Sequence, residues 1–424
     1  MKKETKQRTK LDFIIKNTSF ENDSYEKIRD INDGLFVNPK NKGKINTPLP
    51  LVKEMISILP EEAFEVGKKV LDPACKNGIF LKVIHMVRQQ LGQTKEEIQN
   101  DLYGFDPDPV MVSIAKHISG LKNIYIKDFI REETNMRFDV ILANPPYQNG
   151  KDLKFYWKFI DVAKKLINHN GSILYISPKS WLYNSRQYKD IIRSHDYSIS
   201  YINLDERLQT YFPDIGSSFC IYHIVRKVIE KTKVITFDGE ERNVDLRTFK
   251  GDIREKYIFN TMVDKIFSKL YKNGKIIPEN GKGQNSFVKE KDVTNGYVFP
   301  VYLSSDVNRQ TMWADERQKG QNSMKLIVSH IINPGQSTQF SEISFEKGVG
   351  RYSFFYRTKD KNTAENIQKF FDTNMYKFID KIKRYGRYAY MTLPNLDFSK
   401  DWTDEEIYDF FDFTKEEMEY IENV

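Results

Sequence analysis

Asn144-Pro145-Pro146-Tyr147 directly follows the apolar run Val140-Ile141-Leu142-Ala143. Consecutive prolines lack backbone donors and fix φ, so they form a stiff turn that leaves carbonyls free at the end of a strand. An Asn side-chain oxygen and a proline carbonyl can together accept both hydrogens of an exocyclic amino group, and the following Tyr offers a face to a planar base. Taken alone, the same turn is also readable as a Pro-rich loop with a capping Asn. Upstream, Val70-Leu-Asp-Pro-Ala-Cys-Lys-Asn-Gly-Ile-Phe-Leu81 reads as strand, short turn and helix start, the layout of a nucleotide-type cofactor loop. It is neither G-x-G-x-x-G nor a P-loop, so phosphate cradling is not its expected use. Asp106 ends Tyr103-Gly-Phe-Asp106, where a carboxylate can accept both hydroxyls of a ribose, and Lys127-Asp128-Phe129 follows the next apolar run. An acid at a strand end serves more often as a turn or helix cap. The order of the four signals, each at a strand terminus, is what gives them weight.

Such loops need a sheet to hold them. Apolar runs at 69–71, 102–105, 123–126, 138–143, 172–177, 199–204 and 219–225 alternate with helical patterns at 79–90, 109–118, 155–167 and 185–193. Seven strands with interleaved helices predict an α/β fold with a Rossmann-like core, whose ligands bind at the carboxyl ends of the strands. After residue 226 the rhythm is lost. A Gly/Asn/Lys-rich stretch at 273–296 precedes strand-like runs at 325–332 and 352–356, and a helical pattern at 363–385 precedes a tail in which Thr403 to Glu406 and Thr414 to Glu417 have the capping-box pattern. The expected organisation is a basic N-terminal segment at 1–37, a catalytic domain at 38–230 and a mixed α+β second domain at 231–424.

The chain has 424 residues, 39% hydrophobic and 29% charged, which excludes disorder as the main state. No run approaches the roughly 18 apolar residues of a bilayer span, and Met1 to Lys10 lacks the apolar core of a secretion signal, so a cytoplasmic protein without a membrane partner is expected. Cys75 and Cys220 cannot build a disulfide framework, and neither they nor the six scattered histidines have metal-ligand spacing, so no metal site is expected. The net charge of +7 conceals an asymmetry. Residues 396–424 hold 11 Asp and Glu against 2 Lys, a net of −9, which leaves +16 on residues 1–395. A strongly basic body suits a polyanionic partner, and the acidic tail is expected to pack on the second domain, away from phosphate.

In this order the motifs resemble those of S-adenosylmethionine-dependent amino methyltransferases, specifically the gamma-class, TaqI-like DNA adenine-N6 family of restriction-modification systems, over about residues 38–226. The resemblance implies a seven-stranded methyltransferase sheet followed by a C-terminal target-recognition domain. It implies S-adenosyl-L-methionine as cofactor, with Asp72, Pro73, Ala74, Cys75, Gly78 and Phe80 around its methionine part. Asp106 would bind the ribose, and Asp128 and Phe129 the adenine. Thr47 and Pro48, in Asn46-Thr-Pro-Leu-Pro, correspond to a turn that closes over the cofactor. Asn144, Pro145, Pro146 and Tyr147 would grip an adenine flipped out of double-stranded DNA, with Asn144 also beside the cofactor. A separate cognate restriction endonuclease is a further implied partner, because the roughly 45 residues before the first motif are too few for a nuclease domain.

One departure stands out. Lys76-Asn77 replaces the family's usual Gly-Ser, and Lys tolerates a left-handed backbone poorly while adding a cation beside the methionine carboxylate. With the other motifs intact, the expectation is a reshaped but active loop. The alternatives are a protein glutamine or RNA base N-methyltransferase, which would share NPPY, and a catalytically weakened DNA-binding homologue. In the second domain Arg351, Arg357, Arg384 and Arg387 are candidates for base, phosphate or solvent contact.

Overall fold

The hydrophobic strand Phe138–Ala143 has five of its six residues buried, as required of a strand covered by helices on both faces. The computed structural model that places it describes residues 2–18, 47–148, 152, 154–182, 185–212, 218–247, 260–281, 287–304, 309–329, 341–350, 353–385 and 392–423. These fall into two compact units, Met1–Ile258 and Phe259–Val424.

The first unit contains helices α1 (Lys2–Asn17), α2 (Leu49–Ile56), α3 (Ile79–Gln90), α4 (Lys95–Asp101), α5 (Pro109–Ser119), α6 (Tyr156–Leu166) and α7 (Arg186–Ile192). Its strands are β1 (Val70–Asp72), β2 (Leu102–Asp106), β3 (Ile124–Ile126), β4 (Phe138–Ala143), β5 (Ile167–Pro178), β6 (Ser198–Asn203), β7 (Phe219–Val225), β8 (Thr232–Ile235) and β9 (Glu241–Val244). They form one sheet of order β3-β2-β1-β4-β5-β7-β6-β8-β9. Strands β3 through β5 pair in parallel, β7 runs antiparallel between β5 and β6, and β8 joins β6 in parallel. The strand order reverses at β1 and β4, so the loops leaving these two strands face one crevice.

All seven expected strands are present, most with ends shifted by a residue or two. The count is nine, because the hairpin β8–β9 extends the sheet past β6. The expected boundary at 230/231 therefore falls inside the first unit: Thr232 and Val234 are buried against the same sheet. The expected segment 1–37 also differs from a plain basic arm. Leu11, Ile14 and Ile15 of α1 are buried in the core shared with α2 and α3; residues 19–46 lie outside the described residues.

The second unit holds α8 (Thr261–Leu270), α9 (Lys361–Phe370), α10 (Asn374–Tyr385), α11 (Asp404–Phe410) and α12 (Lys415–Asn423). Its strands are β10 (Lys275–Ile276), β11 (Glu279–Asn280), β12 (Phe299–Ser304), β13 (Arg309–Ala314), β14 (Lys325–Ser329), β15 (Ser341–Ser344), β16 (Gly348–Val349), β17 (Ser353–Arg357) and β18 (Leu393–Pro394). Three small sheets result, β11-β17-β14-β15, β13-β12-β16 and β10-β18. The single helical pattern at 363–385 is two helices. The Asp404 carboxylate accepts the N–H groups of Asn374 (2.9 Å) and Met375 (3.0 Å), capping a new helix start. Both capping boxes in the tail form. Buried Glu417 pairs with Lys269 at 2.7 Å, so the acidic tail packs on α8 and α10 as expected.

The Arg88 guanidinium of α3 is fully buried. It pairs with Asp101 at 3.1 Å and donates to the carbonyls of Ala63 (2.9 Å) and Lys68 (2.7 Å), fixing α3 against the β1 side of the sheet. Arg88→Ala strands the Asp101 charge and should cost about 3–5 kcal/mol in urea unfolding. Lys369→Ala, which breaks an exposed pair with Asp401, should cost under about 1 kcal/mol.

Candidate active site

Asn144 follows the last residue of β4, is 4% exposed, and is held from three directions. Its Nδ2 donates to Thr47 Oγ1 at 3.2 Å, its Oδ1 accepts the Tyr147 hydroxyl at 2.8 Å, and its backbone carbonyl accepts the Lys76 ammonium at 3.2 Å. The structure thus brings the NPPY turn, the Thr-Pro turn and the loop after β1 to one point at the reversal of the sheet. Thr47 is set by α2, which starts after Pro48 and buries Leu51, Val52, Met55 and Ile56. The other face of α2 is tied to the far side of the sheet, where Glu54 accepts Asn203 Nδ2 (3.0 Å) and the Tyr211 hydroxyl (3.3 Å).

The loop after β1 is stapled to β2. Cys75 N–H donates to the Phe105 carbonyl (2.9 Å) and Lys76 N–H to Asp106 Oδ2 (3.0 Å), while Asp72 Oδ1 accepts Ala74 N–H (3.1 Å). Pro73 and Ala74 form the first bend. Lys76 takes the left-handed conformation, φ 47°, ahead of Gly78 at φ 77°. Asn77, although Asn tolerates a left-handed backbone better than Lys, instead offers Oδ1 to Ile79 N–H (3.3 Å) at the start of α3. The left-handed residue is the lysine, a costlier choice that tertiary contacts must hold. Gly78 is required as glycine, since a Cβ there would lie 3.0 Å from Ala115 Cβ.

The charges in this cradle are strongly coupled. Burial raises the Asp72 carboxyl to about 7, and raises Asp106 against its bonds to Asp108 and Lys76 N–H. Burial lowers the Lys76 ammonium to about 8, opposed by attraction to Asp72 and Asp106. The Cys75 thiol is pushed up, again by burial, and is no nucleophile. Phe80 and Cys75 are 2% exposed and belong to the core that supports the cradle. Asp106 accepts two backbone donors but retains lone pairs for a ligand hydroxyl. Asp128 caps its own turn, accepting Ile130 N–H at 3.0 Å, and Phe129 is buried with its ring 5.4 Å from that of Phe159. Lys127 N–H on the Asp106 carbonyl (3.0 Å) fixes this turn beside the cradle.

Around Tyr147 lies an aromatic wall. Its ring is 6.2 Å from Tyr156 and 5.5 Å from Phe219, and Phe219 contacts Phe212 at 4.9 Å. Phe155 instead packs on Phe159. Spacing alone did not single out Phe219 and Phe212, which lie more than 60 residues beyond the turn. In the second unit Arg357 is engaged by Glu279 at 3.0 Å. Arg384 falls in α10, and Arg351 and Arg387 lie outside the described residues.

The acceptors here, two carboxylates and a backbone carbonyl beside helix α3, fit a ligand bearing cationic and hydroxyl groups, and the Lys76 ammonium is already bonded to the carbonyl and attracted by both carboxylates. Residues 91–209 match the Eco57I restriction-modification methylase family model. The matched segment contains Asp106, Asp128, Phe129 and the NPPY turn, with the loop after β1 lying before it. A curated relative, Type II methyltransferase M.TthHB8I of Thermus thermophilus, is 25% identical over 169 residues, covering 34% of this chain and 36% of its own length. A nuclease-deletion mutant of the Type ISP restriction-modification enzyme LlaGI, solved with a DNA substrate mimic, superposes at a TM-score of 0.53 and 12% identity, over 87% of this chain and 54% of that one. That likeness shows a shared fold. The type IIG restriction endonuclease BpuSI matches at 11% identity and a TM-score of 0.45, over 94% and 63%. The chain thus spans about a third of the curated relative and less than two thirds of either solved chain.

Because Asp72 titrates near 7 when folded and near 4 when unfolded, the folded chain binds the extra proton. Its stabilising contribution is full below about pH 4 and declines as pH rises towards 7. Asp72→Asn should remove that part of the decline, so urea unfolding at pH 5 and pH 7.5 should differ less in the variant than in the wild type.

Proposed function

We propose that the chain transfers a methyl group from S-adenosyl-L-methionine to N6 of an adenine flipped out of duplex DNA, as the modification arm of a restriction-modification system. The observation that carries this reading is the junction at Asn144, where the amine-gripping turn and the cofactor cradle share one residue. The family match over residues 91–209 supports it. When bound, S-adenosylmethionine supplies an electrophilic sulfonium methyl. Asp72, Asp106 and the loop from Pro73 to Gly78 would hold it, with Asp128 and Phe129 at its adenine end and Thr47-Pro48 across the opening.

The residues of the turn then have distinct tasks. Asn144 Oδ1 and the Pro145 carbonyl accept the two amino hydrogens, drawing N6 towards tetrahedral geometry and freeing its lone pair in the transition state. Thr47 Oγ1 accepts from Nδ2 and thereby keeps Oδ1 turned to the substrate. Tyr147 must surrender its hydrogen bond to Oδ1 and offer its ring to the base, beside Tyr156 and Phe219. Pro146 stiffens the turn. No side chain needs to act as general base, because N6 loses its proton after the methyl has arrived.

The second unit is assigned to target recognition, and the net +16 of residues 1–395 suits a DNA backbone. A separate nuclease would be the partner activity. Among the described residues no helix is long and apolar enough to cross a membrane.

Asn144→Ala should lower tritium transfer from labelled cofactor to DNA by at least about a hundredfold, the scale of a lost electrostatic contact in the transition state, while calorimetry finds cofactor affinity little changed. Equal loss of both would refute this division of labour. Long-read sequencing of DNA from expressing cells should reveal one modified adenine motif. Transfer to a glutamine peptide or to RNA instead would assign the alternative substrates.

A further inference from the structure

Among the described residues the cradle includes a cationic side chain of its own, Lys76. Lys76 stands on the loop after β1, at a position where the left-handed backbone favours glycine, and its ammonium reaches across the crevice to the Asn144 carbonyl at 3.2 Å. The charged groups facing it are Asp72 at the end of β1 and Asp106 at the end of β2, both attracting it. From the end of β4 it meets the neutral carbonyl of Asn144. A lysine in a strained backbone, with its ammonium bonded to the Asn144 carbonyl and attracted by two nearby carboxylates, occupies a place that would accept a ligand cation.

We propose that Lys76 is a resident cation that competes with the cationic groups of the cofactor, the α-ammonium and the sulfonium, for the Asn144 carbonyl and the Asp72 and Asp106 carboxylates, and so sets cofactor affinity. The proposal rests on the cofactor reading given above. It makes Lys76 an attenuator of binding. A lysine that paired with the methionine carboxylate would have the opposite sign. Ligand entry requires the ammonium to swing off the Asn144 carbonyl, which exchanges one charge-assisted hydrogen bond for another and forfeits most of the gain from the ligand's own ammonium.

Two substitutions separate charge from backbone strain. Lys76→Met keeps the strained φ and removes the cation; Lys76→Gly removes both. Calorimetry on the full chain would measure S-adenosylmethionine, S-adenosylhomocysteine, which lacks the sulfonium charge, and 5′-methylthioadenosine, which lacks the amino-acid part. Both variants should bind S-adenosylmethionine about tenfold more tightly, the scale of one hydrogen bond to a charged group. S-adenosylhomocysteine should gain less, and 5′-methylthioadenosine should change less than about twofold. Thermal melting of the ligand-free variants checks folding, with Lys76→Gly melting no lower than wild type.

Weaker S-adenosylmethionine binding in both variants would overturn the proposal and make Lys76 a carboxylate anchor. No change, or equal shifts for all three nucleosides, would overturn it in favour of a loop-shaping role. Binding of none of the three by wild type and variants would overturn the cofactor reading itself, an outcome distinct from the others because it is independent of residue 76.

Discussion

Asn144 depends on convergence. A lone buried Asn has four hydrogen-bonding positions to satisfy and, at a strand end, no ladder to help it. Thr47, Tyr147 and Lys76 come from sequence positions up to 97 residues away, and each binds a different atom of this residue. They meet because β1 and β4 are parallel neighbours at the reversal of strand order, so the loops leaving them are forced into one crevice. The long packing of α2 against the sheet, anchored at its other side by Glu54, exists in this geometry to deliver Thr47.

Much of this was legible because the central strands are buried on both faces. Phe138–Ala143 and Phe219–Val225 read as continuous apolar runs, and the motif residues sit where such runs stop. What could not be read follows from long-range packing. The hairpin Thr232–Ile235 and Glu241–Val244 is half polar, and only its pairing with Ser198–Asn203 makes it part of the first sheet. The break between Lys361–Phe370 and Asn374–Tyr385 is set by Asp404, thirty residues beyond the position it caps. At the site, the sequence marked 76–77 as an awkward pair in which Asn tolerates a left-handed backbone better than Lys. Asn77 was instead needed to cap Ile79, which left the strain to Lys76.

The two carboxylates of the cradle illustrate how environment divides similar groups. Asp72 is almost fully buried and meets a single backbone donor, so its charged form is penalised. Asp106 is also buried, but two backbone N–H groups partly offset that penalty. Lys76 attracts both, which opposes the burial that raises each carboxyl. On the proposed cofactor reading, binding and folding draw on the same three charges.

The Tyr147 hydroxyl on Asn144 Oδ1 has an energetic corollary. The Asn144 oxygen is therefore no stripped acceptor, and it stores no unmet polar demand of its own that an arriving amine could relieve. In the proposed reaction, capture of a base at this oxygen would trade one donor for another at nearly level enthalpy. On that reading, the preference for an extrahelical base would arise from ring contact with the aromatic wall and from the ease of extrusion, while Asn144 Oδ1 would act as a filter, rejecting any base edge that returns no donor for the hydroxyl it displaces.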